Sequence, residues 1–267
     1  MTGDTMEWFE NRGVPLKIEN DNRIFPESNS SQTIIDCFEK SAKDAGVQIL
    51  LNKRVQAIES EKSSFFVKTK SEIFKADYLL IAAGSNSLIW NLMEELGHHI
   101  IQPVPSLFTF NTADKRIQDI PGTSVPFATV NVVNSKLSAQ GPLLITHWGM
   151  SGPAILKLSA WGALELNQRD YTFDIEVNWL SKKLETVMNV LKSTKKKNAK
   201  KNVIKNTIFE EISKRLWLKL TEAAQISPTA QWAQLSNEKL QNLALQLTKG
   251  VFTVHGKSTF KEEFVTA

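Results

Sequence analysis

The sequence contains one cysteine, no G-x-G tripeptide and no apolar run near the roughly 18 residues that a membrane span requires. Cys37 cannot form an internal disulfide, so a reducing compartment is expected and the cytoplasm is the predicted location. The first ten residues show no basic stretch followed by an apolar one, so no secretory signal or transit peptide is expected. A disulfide scaffold and a membrane-spanning protein are thereby excluded.

The remaining composition is that of a globular chain with a local excess of positive charge. With 267 residues, 42% of them hydrophobic, the chain is long enough for one large domain or two ordinary ones. Residues 182–219 hold twelve Lys or Arg and three Glu, and six of the lysines cluster within ten positions: Lys192, Lys195, Lys196, Lys197, Lys200 and Lys201. Because no aromatic residues are interleaved, the cluster is interpreted as a solvated connection between helices, with nucleic-acid binding as the alternative.

Hydrophobic periodicity predicts an α/β fold in the first hundred residues. Helices are expected over 4–12, 31–45 and 88–96, and a hairpin over 65–69 and 72–75. The continuous apolar run over 78–84 is typical of a strand buried on both faces of a parallel sheet.

After the first hundred residues, the sequence pattern predicts short strands and then helices. Strands are predicted over 107–111, 128–133, 143–147 and 171–179, with a helix beginning at Pro153. Residues 180–248 are expected to be helical throughout, with one apolar stripe recurring every four residues from Ile204 to Leu216 and another from Leu240 to Leu247. A last strand pair is predicted over 251–255 and 260–265.

One motif carries a family resemblance. Residues 146–156 read T-H-W-G-M-S-G-P-A-I-L, which resembles the T-H-x-G-x-S-G-P-x-x-L signature of the BaiN/YhiN-like flavoproteins, a family of NAD(P)/FAD-dependent oxidoreductases. The resemblance implies a partial glutathione-reductase-type FAD domain over 1–106. It further implies an inserted β-rich domain over 107–179, an inserted helical domain over 180–250 and return strands over 251–267.

The same resemblance implies FAD as cofactor and NAD(P)H as donor. It places Val55 against the adenine and Ala82, Ala83 and Gly84 at a turn close to FAD, whereas a valine at a solvent-exposed strand edge is the alternative for Val55. The glycine-rich pyrophosphate loop and the C-terminal flavin segment of the family are not found. The chain is therefore interpreted as the central part of a longer flavoprotein, expected to be inactive alone, with a shortened relative that has lost FAD as the alternative.

His147 and Ser151 are the candidate catalytic residues. An imidazole titrates near neutral pH and can protonate a reduced substrate; the alternative is a histidine hydrogen-bonded to position the turn. Ser151 either contacts substrate or caps the following helix. The turn is expected on the wall of the active site opposite the flavin, where the β-rich and FAD domains meet. His98, His99, His255 and Cys37 lack metal-ligand spacing, so no metal is expected.

These observations predict part of an FAD-dependent oxidoreductase that reduces a small unsaturated or carbonyl-bearing molecule. The alternative is a non-catalytic binding module whose basic helices recruit an anionic partner. Neither a sequence-specific nucleic acid nor a membrane is an expected partner.

Overall fold

The computed structural model describes residues 2–19, 22–61, 63–258 and 265–266. They form two compact units that divide between Ile100 and Ile101. The fold is mixed α/β, and the described strand pairs are antiparallel. Within the described ranges, no helix combines the length and the apolar character needed to cross a bilayer.

The first unit contains the predicted helices and hairpin. Ser30 begins the second helix by accepting the backbone N–H of Gln32. Cys37 is buried on that helix. The elements are α1 (Thr2–Glu10), β1 (Leu16–Ile18), β2 (Ile24–Pro26), α2 (Ser31–Asp44), β3 (Val55–Glu61), β4 (Ser64–Thr69), β5 (Ile73–Ala76) and α3 (Ser87–Glu95).

The predicted parallel strand over 78–84 is wrong. These residues form no strand in the structure, and Tyr78 and Leu80 are 92% and 89% exposed. A strand buried on both faces needs neighbours on both sides. The described sheets of this unit, β1 with β2 and β3 with β4 and β5, provide none next to this run.

The second unit is built around a curled sheet of seven strands. Its order is β12-β11-β8-β9-β10-β7-β13, so β12 and β13 are its two edges. The edges are separated in the chain by His255 alone, which requires the sheet to curl until they meet, as in a barrel. The strands are β7 (Thr109–Asn111), β8 (Ser124–Val132), β9 (Ser138–Ile145), β10 (Gly149–Ser151), β11 (Phe173–Asn178), β12 (Gly250–Val254) and β13 (Gly256–Ser258).

A short separate pair joins β6 (Pro105–Ser106) to β14 (Val265–Thr266). The predicted strand over 260–265 falls almost entirely outside the described residues.

Helices pack on the barrel through one continuous core. Phe110 and Ile145 of the sheet belong to the same buried cluster as Trp217 and Leu243 of the helices. Leu180, at the predicted boundary between the β-rich and helical parts, lies in that cluster as well. The helices are α4 (Pro153–Trp161), α5 (Ala163–Gln168), α6 (Leu184–Lys197), α7 (Lys214–Ala223) and α8 (Asn237–Thr248), with a 3-10 turn at Trp232–Gln234.

The apolar stripe from Ile204 to Leu216 does not form one helix, which corrects the sequence prediction. A first turn at the end of α6 is closed by a hydrogen bond from Lys201 N–H to the carbonyl of Asn198. Two further turns lead to α7, closed by hydrogen bonds from Asn206 N–H to the carbonyl of Val203 and from Ile212 N–H to the carbonyl of Phe209. Ile204 and Ile208 are half-buried and Ile212 is buried, all three outside a helix, and of the stripe only Leu216 lies on α7. Their spacing of four is therefore not helical here. The second stripe, from Leu240 to Leu247, is confirmed on α8.

Candidate functional site

The loop that carries His147 is held by the threonine before it. Thr146 lies between β9 and β10, and its hydroxyl oxygen accepts the backbone N–H groups of Trp148 (3.3 Å) and Gly149 (3.2 Å). Its own N–H donates to the carbonyl of Gly149 across 2.8 Å. On the other side, the N–H of Thr112 donates to the carbonyl of Trp148. The loop therefore has a fixed backbone.

Gly149 allows β10 to fit between its neighbours. A Cβ atom there would lie 2.1 Å from the carbonyl oxygen of Phe110 and 2.7 Å from the nitrogen of Thr112, both backbone atoms. Its φ of +149° is also rarely adopted by residues with a side chain. The glycine is thus required by close packing of backbones rather than by a ligand.

Ser151 does not cap the following helix, so the capping interpretation is wrong. Gly152 is the N-cap residue, with φ +91°, and no side-chain hydrogen bond caps the helix. Ser151 is buried, and its hydroxyl accepts a hydrogen bond from the Thr109 hydroxyl across 3.0 Å, on strand β7. The hydroxyl of Ser151 thus links β10 to β7. It is buried and already has a hydrogen-bond partner.

His147 and Trp148 are the exposed residues of the motif's loop. Trp148 is 60% exposed, and His147 makes no hydrogen bond within the described part of the chain. The alternative in which the histidine positions the turn is therefore not what the structure shows, since Thr146 has that role. Met150, two residues further along the chain, is buried in the core.

His147 lines a cleft of about 610 Å³ within the second unit. One side of the cleft is the loop itself, and the other is the segment that follows β7. The lining residues are Thr112, Ile117, Gln118, Asp119, Pro121, Thr146, His147 and Gly149. An imidazole at the lip of such a cleft can reach a bound molecule while it exchanges protons with solvent.

An arginine fixes the far wall of this cleft. The guanidinium of Arg116 binds Asp114 through two hydrogen bonds, of 2.8 Å and 2.7 Å, and donates to the side-chain oxygen of Gln246 on α8 across 2.9 Å. It also donates to the carbonyl of Val251 and lies 3.8 Å from the ring centre of Phe252. One side chain thus joins the cleft wall to a helix and a strand.

The charge of Arg116 sets the ionisation of Asp114. Burial by itself raises the pKa of this carboxyl group, but the hydrogen bonds and positive charge of Arg116 outweigh it. The pKa of Asp114 is therefore lowered from its ordinary value, and the carboxylate remains charged when the wall is formed.

A cation from the helices reaches the edge of the cleft. Lys219 of α7 places its Nζ 3.7 Å from a carboxylate oxygen of Asp119, which lines the cleft with His147. The α7 helix, which follows the two turns, is therefore next to the candidate site.

The predicted FAD contacts lie in the first unit and are not brought into one cavity. Val55 begins β3 and lines a cleft of about 400 Å³ with residues of α3, including Leu88 and Leu92. The segment from Ala82 to Gly84 is exposed and precedes the start of α3 in the chain. The assignment of all four residues to FAD stays a prediction.

No group of three or more potential metal ligands occurs in the described ranges.

The sequence reasoning missed three residues that build the site. Thr146 enters the sequence prediction only as a letter of the motif, without a role. A threonine three residues before a glycine at a strand end is nevertheless a known way to close a turn. Asp114 and Arg116 were not singled out. Their i, i+2 spacing is compatible with an ion pair in a turn, but Gln246 and Val251 are too distant in sequence to be found that way.

Comparison with known proteins gives a family. Residues 104–265 match the family model described as HI0933-like protein barrel and H2TH domain. The curled seven-stranded sheet, which lies within these residues, fits the first term of that description.

Three curated relatives are similar to the chain. A Haemophilus influenzae protein named ribosomal RNA dihydrouridine synthase is 24% identical over 278 residues, covering 98% of this chain and 66% of that protein. The Escherichia coli protein of the same name is 25% identical over 250 residues, covering 89% and 59%. The 3-dehydro-bile acid delta(4,6)-reductase of Clostridium scindens is 22% identical over 167 residues, covering 59% and 41%. The chain thus spans less than two thirds of the length of each.

Proposed function

Since the chain belongs to the HI0933-like family, whose members are FAD-dependent oxidoreductases, we propose that it is part of an enzyme that reduces a carbon–carbon double bond conjugated to a carbonyl group. The proposal uses the chemistry that the relatives' names share. A dihydrouridine synthase and a delta(4,6)-reductase both saturate a ring double bond. The expectation from the family resemblance was broader, an acceptor that is unsaturated or carries a carbonyl group.

The position of His147 is the observation that carries the proposal for this chain. Thr146, Gly149 and Ser151 of the motif each have a structural contact that accounts for them, whereas His147 stands exposed at the lip of the cleft. Saturation of a conjugated double bond adds a hydride to one carbon and a proton to the other. A general acid is thus needed, and an imidazole at neutral pH supplies one.

FAD is the family's hydride carrier, and NAD(P)H is the donor we propose for it. The four residues expected to contact FAD stay a prediction, so the role that we assign to this chain lies on the substrate side of the reaction. There, His147 holds and delivers the proton, and the wall fixed by Arg116 shapes the cleft.

For the substrate we propose a uracil ring carried by RNA. Two relatives that together cover most of this chain are named for that reaction, and they match over longer stretches than the bile acid reductase. This replaces the small free molecule expected from the sequence. The cytoplasm, expected from the lone Cys37, is the location we propose.

The test replaces His147 by Gln in the FAD-loaded enzyme. The reaction is followed anaerobically in two halves: reduction of FAD by NAD(P)H, and its reoxidation by a uracil-containing RNA. A general acid predicts that the first half is unchanged and that the second slows by about 10² to 10⁴-fold. Flavin content and melting temperature should stay at their original values, because His147 is exposed.

His98→Gln is the matched control, since it removes an exposed imidazole from the other unit. It is expected to leave both halves unchanged. If reoxidation of His147→Gln stays within a few-fold of the unmodified enzyme, His147 is not the proton donor and the proposed role of the cleft is wrong.

A further inference from the structure

A surface of unpaired lysines lies at the end of α6, apart from the cleft of His147. Its members are exposed and make no hydrogen bond or ion pair with any described residue. We call it the lysine surface, and it consists of Lys192, Lys196, Lys197, Lys200 and Lys201. Across residues 186–209 there are seven lysines and no Asp or Glu, so no acidic neighbour in the sequence neutralises them.

The backbone beneath this surface is fixed. The N–H of Ala233 donates to the carbonyl of Ala199 across 2.9 Å, and the N–H of Trp232 donates to the carbonyl of Lys201 across 3.1 Å. Lys195 turns the other way and donates to the carbonyl of Leu235. The end of α6 and the residues after it thus have a defined backbone, from which the exposed lysines of the predicted solvated connection project.

The helix itself adds a reason for the lysines to be there, but not for all of them. Cations in the last turn of a helix are stabilised by its dipole, which accounts for Lys195, Lys196 and Lys197 in α6. Lys200 and Lys201 lie beyond the helix and Lys192 lies a turn before its end. Concentrating these like charges within ten consecutive residues is unfavourable without an anionic partner.

The surroundings of the surface favour phosphate groups over a lipid bilayer. The three aromatic residues of 180–250, namely Phe209, Trp217 and Trp232, are buried, so no base can stack on them. Val190, 37% exposed, is the one large apolar residue of α6 that is exposed, which leaves little to insert into a membrane. Exposed lysines with neither aromatic nor apolar groups beside them are typical of a surface that binds the phosphate backbone of a nucleic acid. Such a surface positions the nucleic acid and does not recognise its base sequence.

We propose that the lysine surface binds the phosphate backbone of a folded RNA and thereby presents its target base to the same unit that carries His147. The identity of the polyanion as RNA rests on the proposed function. Lys219, beside Asp119 at the cleft, lies on α7, the helix that the two turns connect to this surface. Binding to the surface would then supply affinity, and the cleft would select the base.

The test measures binding of a fluorescently labelled RNA stem-loop to the full chain as salt is raised. The variant Lys196→Gln, Lys197→Gln, Lys200→Gln, Lys201→Gln is compared with the unmodified chain. Loss of these four contacts predicts an affinity lower by about tenfold or more, with a logarithmic salt dependence less steep by about 3 to 4, at roughly 0.7 to 0.9 for each phosphate contact. The matched control replaces four other exposed lysines, Lys43, Lys70, Lys136 and Lys249, by Gln and changes the net charge equally.

The control variant is expected to keep most of the affinity and the steep salt dependence. An equal loss in both variants would overturn the proposal, because net charge alone would then explain binding. Binding of the unmodified chain to phosphatidylglycerol vesicles but not to the stem-loop would overturn it as well, in favour of a membrane. The assay needs neither FAD nor turnover, so its failure is distinct from a failure of His147 to act as proton donor.

Discussion

The hydroxyl oxygen of Thr146 accepts the backbone N–H of Gly149 across 3.2 Å, and this bond closes the loop on which His147 stands. The same oxygen accepts the N–H of Trp148. The proton donor that we propose is therefore positioned by the residue immediately before it. The two hydrogen bonds of the Thr146 hydroxyl thus set the position of the loop that carries the imidazole.

Replacement of Thr146 by Val keeps its shape and removes the hydroxyl. Two backbone N–H groups lose their acceptor, so the free energy of unfolding should fall by about 1 to 2 kcal/mol. Reoxidation of FAD by substrate should also slow, because the loop no longer holds His147. Thr146→Ser keeps the oxygen and should retain most of both properties. If Val and Ser variants behave alike in denaturant melts and in turnover, the hydroxyl does not position the loop.

Ser151 and Thr109 allow a double-mutant test of a structural role. Ser151→Ala leaves the buried Thr109 hydroxyl without its acceptor, which should cost about 1 to 3 kcal/mol in urea unfolding. Thr109→Val in the same background removes the unsatisfied donor and should recover part of that loss. A catalytic Ser151 would show a different result: turnover would collapse in Ser151→Ala while its unfolding free energy stayed the same.

The sequence predicted the helices and hairpins of this chain better than its turns. Leu240 and Leu247 lie on one helix face because an N-cap at Ser236 begins a real helix there. Ile204 and Ile212 also belong to a stripe that predicts a helix, but the side-chain oxygen of Asn202 accepts the N–H of Lys205 and starts a turn instead. Side-chain capping of a turn competes with a helix, and hydrophobic periodicity does not register that competition.

The candidate site was predicted in part. His147 was chosen for its chemistry, and the structure places it at a cleft. The role of Ser151 could not be found from local sequence, because its partner Thr109 is 42 residues away. The prediction of a buried strand over 78–84 is wrong for a related reason. Burial of a strand depends on neighbouring strands that its own residues do not specify.

Gly149→Ala should be strongly destabilising. The added Cβ meets the backbone of Phe110 and Thr112, which cannot rotate away, so a loss of about 2 to 5 kcal/mol is expected in denaturant unfolding. Gly3→Ala is the control: Gly3 lies in α1 with nothing within 4 Å of the new atom, and alanine favours helix there by about 0.5 to 1 kcal/mol. Equal and small effects of the two changes would contradict the close packing of β10.

Lys195 and Lys196 are neighbours in α6 with different surroundings. Lys195→Gln removes the hydrogen bond to the carbonyl of Leu235 and should lower the unfolding free energy by about 1 kcal/mol. Lys196→Gln should change it by less than about 0.5 kcal/mol, because its side chain is exposed. RNA affinity should respond in the opposite way, falling more for Lys196→Gln. A larger stability loss for Lys196→Gln than for Lys195→Gln would contradict the different surroundings described for the two side chains.

The ion pair of Asp114 and Arg116 should make the cleft wall sensitive to acid. The pKa of Asp114 is lowered in the folded chain, since hydrogen bonds and charge from Arg116 outweigh the opposing effect of burial. A carboxyl group of this kind stabilises the fold above its unfolded pKa, near about 4, and loses that contribution as pH falls through its folded value. The unmodified chain should therefore be more stable than Asp114→Asn at neutral pH, and this advantage should shrink below about pH 4. Urea unfolding of both chains across that range measures the difference directly.

Asp119→Asn, whose carboxylate is 88% exposed, is expected to show a small difference that changes little with pH. An advantage over Asp114→Asn that stays constant from neutral pH into strong acid would mean that Arg116 does not stabilise the wall through this charge.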